Sequence, residues 1–128
     1  MHSAPRKEVV WVGSCRADLA AFPPVARRAL GYALNVAQLG GKHPESKPLK
    51  GFGGAGVLEV VEDRDRRAFR LIYTVRLGER IYALHAFQKK STRGIKTPQH
   101  ELEVVRRRLR EAEEIHKKWL ESKPGAKT

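Results

Sequence analysis

Between Phe69 and Lys90 the chain reads FRLIYTVRLGERIYALHAFQKK, with Phe69, Leu71, Tyr73 and Val75 alternating with Arg70, Ile72, Thr74 and Arg76. That two-residue period predicts a strand. Leu77-Gly78-Glu79-Arg80 is the turn that follows, with Gly78 free to take positive φ. Ile81 to Phe87, rich in β-branched and aromatic residues, is the second strand of a hairpin. Two shorter apolar runs, Glu8 to Gly13 (EVVWVG) and Val57 to Val61 (VLEVV), predict further strands, the second pairing with the central hairpin. Between Val61 and the hairpin, Glu62 to Arg67 (EDRDRR) reads as a solvated charged turn.

Helical spacing occupies the rest. Ser14 is placed to cap a short helix from about Arg16 that carries Leu19, Ala20 and Phe22 and stops at Pro23-Pro24. Pro24 suits the first turn of the next helix. There Val25, Ala29, Tyr32, Ala33, Val36 and Leu39 recur at three- and four-residue steps, widened by Leu30 and Leu34, and Gly40-Gly41 closes the helix. After a basic linker, Ser91 to Lys96, Thr97 as N-cap and Pro98 as first helical residue open a last helix. Its apolar face is Leu102, Val105, Leu109, Ala112 and His116, and Arg106, Arg107, Arg108 and Arg110 surround the other sides. The order β-α-α-β-β-β-α predicts an α+β fold. It is a small antiparallel sheet with a mixed edge, packed against an N-terminal helix pair, with a C-terminal helix, and the helices lie on one side of the sheet. The whole chain, 1–128, reads as one domain, with 1–7 and 122–128 disordered.

Charge changes the picture more than length does. Lys and Arg number 26 against 14 Asp and Glu, a net +12, which favours a polyanion as partner. One cysteine, Cys15, cannot form an intramolecular disulfide and fits a reducing cytoplasm as a small packed residue. No apolar run reaches the roughly 20 residues of a membrane span. The five histidines make no i, i+4 pair and one thiol builds no thiolate cluster, so neither a metal nor another cofactor is expected. The loop Lys42 to Gly56 has four glycines but lacks the Gly-Lys-Ser/Thr ending of a nucleotide-binding loop. It is either a flexible lead-in to a strand or, through Lys47 and Lys50, the rim of an RNA site.

The hairpin sets Arg70, Arg76, His85, Lys89 and Lys90 into an apolar ribbon, and Arg93 follows in the linker. Such a ribbon either holds an anionic backbone or is a plain hairpin with a solvated polar face. Arg, Lys, His and Tyr suffice for RNA cleavage by its own 2′-hydroxyl. That reaction needs a base at the 2′-OH, cations at the phosphate and a proton for the leaving 5′-oxygen. His85 is the group best tuned near neutral pH, or else a histidine packed beside Phe87.

Four pieces in order, KPLKGF, FRLIYTV, YALHAFQKKS and TPQHELEVVRRRLREAE, resemble the phage-derived Gp49-like family, close to the HigB toxins of the RelE/ParE superfamily. The similarity runs from Val10 to about Glu114. It implies a RelE-like fold and the toxin of a type II toxin–antitoxin pair. It also implies a metal-independent endoribonuclease that cleaves mRNA on the ribosome. The resemblance puts Arg70 on the scissile phosphate and makes Lys89 and Lys90 the basic pair after the last strand. His85 joins them as a catalytic candidate, and Lys47, Lys50, Arg76 and Arg93 are RNA-binding candidates. The implied partner is a helix-turn-helix, HigA-like antitoxin in a hetero-oligomer. One departure concerns the strand VLEVV, where Glu59 stands in a stretch that carries lysines in RelE; Glu59 or His85 is then the general base, or the chain is catalytically weak. A ParE-like gyrase inhibitor and a non-catalytic phage-derived RNA-binding module are the two alternatives.

Overall fold

The computed structural model of the protein describes residues 5–54, 56–90 (Lys90 by its backbone) and 97–123. Arg93, with the rest of the Ser91–Lys96 linker, lies outside the described residues, as do 1–4 and 124–128 of the ends expected to be disordered. The chain forms β1 (Glu8–Trp11), α1 (Cys15–Ala20), α2 (Pro24–Gln38), β2 (Lys47–Pro48), β3 (Val57–Arg64), β4 (Arg67–Thr74), β5 (Arg80–Lys90) and α3 (Gln99–Ser122). They build an α+β fold around one mixed sheet of order β1-β5-β4-β3-β2. The β2-β3-β4-β5 pairs are antiparallel, and β1 joins the outer edge parallel to β5 over Arg80 to Ala83. Lys7, expected to fray, is tied to α2. Its N–H donates to the Gln38 carbonyl at 2.9 Å, and Gln38 Nε2 donates back to the Lys7 carbonyl at 2.8 Å.

The helices occupy both faces, not one. On the first, Leu58, Val60, Phe69, Leu71, Tyr73, Ile81, Ala83 and Ala86 meet α1 and α2. On the second, Val57, Ile72, Tyr82, Leu84 and Phe87 meet Val105, Leu109 and Ala112 of α3. Side chains alternate across a strand, so a sheet whose strands are apolar on both sides needs cover on both. Ile72, between Leu71 and Tyr73, is the residue that betrays the second core. Helix α2 is also rotated from its expected face. Ala26, Leu30, Ala33, Leu34 and Ala37 are buried, whereas Val25, Tyr32 and Leu39 are 40%, 58% and 51% exposed. Three alanines on the buried side bring the helix axis close to the sheet.

Two local features differ from the expectation. The six-residue charged turn is a two-residue hairpin, because β3 runs on to Arg64, opposite Arg67. Its central residues, Asp65 and Arg66, have φ of 49° and 66°. Tight hairpins favour this doubly left-handed turn, and Asp-Gly is its preferred sequence. Arg66→Gly is therefore expected to raise the melting temperature by roughly 3–5 °C, the shift that about 1 kcal/mol gives in a domain of this size. Thermal unfolding followed by circular dichroism checks it. An unchanged or lower midpoint would mean Arg66 contributes interactions worth more than the relieved strain. The second feature is a shift in the β4–β5 register between Ile72 and Tyr73, which leaves Leu84 as the extra residue before His85. The bulge lets Leu84 and His85 both face α3.

Burial also shifts three titratable side chains. Cys15 is fully buried, and desolvation pushes its thiol up to about 12, despite the opposing Arg108 charge. Tyr73 is core. Its hydroxyl donates to Ser46 Oγ at 2.8 Å, and burial raises its pKa although that hydrogen bond acts the other way. Burial likewise raises Tyr82, whose hydroxyl meets His116 Nδ1 at 2.8 Å.

Candidate functional site

On the α3 face an open cleft of about 410 Å³ lies between β2, β3, β4 and the start of α3. Lys47, Lys50, Glu59, Arg70, Thr97 and Gln99 supply its polar lining, and Leu49 and Leu102 its apolar wall. Register explains the convergence. Glu59 pairs with Lys47 on one side and Ile72 on the other, and Arg70 pairs with Val61. Glu59 and Arg70 thus stand on neighbouring strands, two positions offset, on one face. Arg70 Nη1 donates to Glu59 Oε2 at 3.2 Å and to Thr97 Oγ1 at 3.4 Å, and the Thr97 hydroxyl donates to the same Glu59 oxygen at 2.7 Å. The two charged side chains are only 12% and 16% exposed. A carboxylate has lone pairs enough to take a proton beside such partners, and a guanidinium has five N–H donors to share with an anion in the cleft.

Thr97, the expected cap of α3, does other work. Pro98 holds the N-cap position, the helix begins at Gln99, and the Thr97 hydroxyl turns into the cleft. A strand carboxylate and a cation nearby outcompete the helix N–H groups for that hydroxyl. Sequence spacing carries no signal for this, because Glu59 is 38 residues away.

The other expected site residues divide. Lys47 and Lys50 rim the Arg70 cleft. Lys89 pairs with Ala68, which by alternation puts it on the Arg70 face, and the backbone of Lys90 stands opposite Arg67. His85 shares that face but lines a different cleft, about 350 Å³, with Asp18, Phe22 and Phe87. It is stacked on Phe87, with ring centroids 4.9 Å apart. Arg108 Nη1 lies 3.3 Å from His85 Nδ1 and can only donate, so Nδ1 accepts and Nε2 carries the hydrogen toward Glu101 Oε1 at 2.7 Å. The same guanidinium reaches the Leu84 carbonyl and Ser14 Oγ, each at 3.1 Å. His85 therefore ties β5 to α3, and both of its nitrogens are committed. Arg76, in the β4–β5 turn, donates through Nη2 to the Phe52 carbonyl. Among the described residues, no group of His, Cys, Asp and Glu could hold a metal ion, and no helix is long and apolar enough to cross a membrane.

The β-α-α-β-β-β-β-α order, with this paired cation and carboxylate on one face of its sheet, defines a small α+β class with an open, cation-bearing cleft. Residues 17–110 match the family described as phage derived protein Gp49-like (DUF891), and the chain belongs to that family. None of the curated proteins matches it. Among solved structures, it is similar to a chain of the toxin–antitoxin complex RelBE2 from Mycobacterium tuberculosis, at 19% identity and a TM-score of 0.42, over 67% of this chain and 94% of that one.

Proposed function

We propose that this protein is the toxin of a type II toxin–antitoxin pair, a cytoplasmic, ribosome-dependent endonuclease that cleaves mRNA by 2′-hydroxyl attack using only its own side chains. The observation that carries the reading is the Glu59–Arg70 pair, held by Thr97 in an open cleft rimmed by Lys47 and Lys50. An in-line attack needs a base and a phosphate cation side by side, and these two groups supply them. Glu59 takes the proton of the 2′-hydroxyl as its oxygen bonds to phosphorus. Arg70 meets the charge that grows on the non-bridging oxygens. The bond to the 5′-oxygen breaks, and Lys89, on the same face, delivers the proton to it. The products are a 2′,3′-cyclic phosphate and a free 5′-hydroxyl. In this scheme His85 positions α3 and the Arg70 cleft; it does not carry protons. The family resemblance supplies the ribosome and the helix-turn-helix, HigA-like antitoxin, whose acidic segment would cover the basic rim.

Production of the chain alone is expected to arrest bacterial growth, with mRNA fragments ending in 2′,3′-cyclic phosphates and relief by the cognate antitoxin. Fragment-end sequencing after induction checks it. Unimpaired growth at confirmed soluble expression would remove the toxin reading. Arrest with intact mRNA and a DNA-damage response would move the chain to the gyrase-inhibiting class.

A further inference from the structure

Beside the Arg70 cleft, the loop between β2 and β3 is gripped by two arginines from distant parts of the chain. Arg76 binds the Phe52 carbonyl. Arg106, from α3, holds its guanidinium carbon 5.3 Å from the centre of the Phe52 ring. Phe52 packs into the α3-side core with only 7% exposure, so its ring is a fixed anchor. Glycine permits the approach of Arg76 at Gly56 and the backbone turn at Gly51. Gly51 has φ of +93°, and a Cβ on it would lie 3.8 Å from Arg106 Nη2; a Cβ on Gly56 would lie 3.0 Å from Cβ of Arg76. Lys50, which precedes Gly51, belongs to the rim of the Arg70 cleft. None of the ion pairs among the described residues involves Lys50, Arg76 or Arg106. Nor does Arg106 stand in a broadly basic face, because α3 carries as many acidic as basic side chains; the net +12 lies outside it.

Two arginines thus converge on one rigid aromatic anchor, Lys50 stands two residues before it on the rim of the Arg70 cleft, and none of the ion pairs among the described residues engages any of the three. We propose that Lys50, Arg76 and Arg106 form a second phosphate site, which holds an RNA strand where it leaves the Arg70 cleft. The proposal rests on the RNA reading above for the identity of the polyanion. Each guanidinium spends one edge or face on Phe52 and keeps further N–H donors for phosphate oxygens. Lys50 belongs to both sites, so successive phosphates of one strand can occupy them. An RNA strand fits this continuity better than an acidic peptide, because every nucleotide carries a phosphate whereas a peptide carries a carboxylate only where its sequence has Asp or Glu.

The test uses the full chain and a short single-stranded oligonucleotide with 2′-O-methyl riboses, which has no 2′-hydroxyl to attack. Arg76→Gln and Arg106→Gln are each expected to weaken binding roughly threefold to tenfold, and to flatten the slope of log K against log salt by about 0.7 for each phosphate that is no longer neutralised. Arg106→Lys should keep the slope, since the charge remains, while losing part of the affinity. Because both arginines also brace the loop, weaker binding with an unchanged slope in the Gln variants would mean they only shape it, and would overturn the proposal. Poly-glutamate competing better than an oligonucleotide of equal charge would reassign the site to an acidic protein segment and overturn it too. A wild-type chain that shows these slopes yet cleaves no mRNA on programmed ribosomes would sink the nuclease reading and leave the site. Cleavage with slopes unchanged in both Gln variants would do the reverse.

Discussion

Arg70→Ala is expected to slow mRNA cleavage on programmed ribosomes by roughly a hundred- to a thousandfold, as when one transition-state donor worth about 3–4 kcal/mol is removed. Arg70→Lys should recover only part of that rate, because an ammonium is a point charge and cannot present a planar fork to two phosphate oxygens. The structure adds a consequence that strand alternation hides. Arg70 is ion-paired with Glu59 at 3.2 Å, and both side chains are largely buried. Removing the cation strands a carboxylate, at a cost of about 1–3 kcal/mol in stability. The Ala variant should therefore melt several degrees lower as well as cleave slowly. The double variant Glu59→Gln/Arg70→Ala separates the two effects. It should regain most of the melting temperature and none of the rate. Undiminished cleavage by a folded Arg70→Ala chain would make Arg70 a structural partner of Glu59, and the active-site map would have to be redrawn.

Glu59→Gln carries the second large effect. If Glu59 takes the 2′-hydroxyl proton, the amide should cost roughly a hundred- to ten-thousandfold in single-turnover cleavage, the range for loss of a general base. Binding should go the other way. The carboxylate competes with phosphate for Arg70, so its neutral isostere loosens that hold on the guanidinium, and an oligonucleotide with no 2′-hydroxyl should bind at least as tightly as it does to the wild type. A variant that binds well and cleaves poorly is the signature of a lost base. One that cleaves within a few-fold of wild type would return that role to another group. His85 is the natural rival, and His85→Gln tests it directly. With Nε2 given to Glu101 and Nδ1 to Arg108, His85 should matter chiefly for the docking of α3 and hence for stability. A loss of rate in His85→Gln at an unchanged melting temperature would reverse the assignment.

The sequence is a good guide wherever local spacing carries the information. The strand period of Phe69 to Val75, the prolines at the head of α2 and the closing glycines are read from neighbours a few residues apart, and all three stand in the structure. Arg70 and the lysines of the 42–56 loop are legible as candidates because cations set in an apolar strand, or beside glycines, are conspicuous. Sequence does not say that Lys47 and Glu59 face each other across β2 and β3, nor that Arg70 carries an internal carboxylate. Thr97 reads as a helix cap because that pattern is local, whereas the partner that wins its hydroxyl arrives through the sheet. Arg106 looks like one of several interchangeable arginines on α3 until Phe52 is seen beneath it.

What the sequence determined by itself was the order of the helices and the four longer strands, the α+β class and a surplus of positive charge, since each depends on residue types and short-range periods; the two-residue strand β2, inside the 42–56 loop, is too short to carry a period and exists only by pairing with β3. Only the tertiary structure decided which cations act together. Strand register set Glu59 beside Arg70, the bulge at Leu84 turned His85 toward α3, and the apolar residues on both faces of the strands drew α3 over the second face. That placement brought Thr97 and Arg106 to their partners. Burial and pairing act between residues far apart in the chain, and the free energy that selects them belongs to the packed sheet as a whole, so no window of sequence holds it.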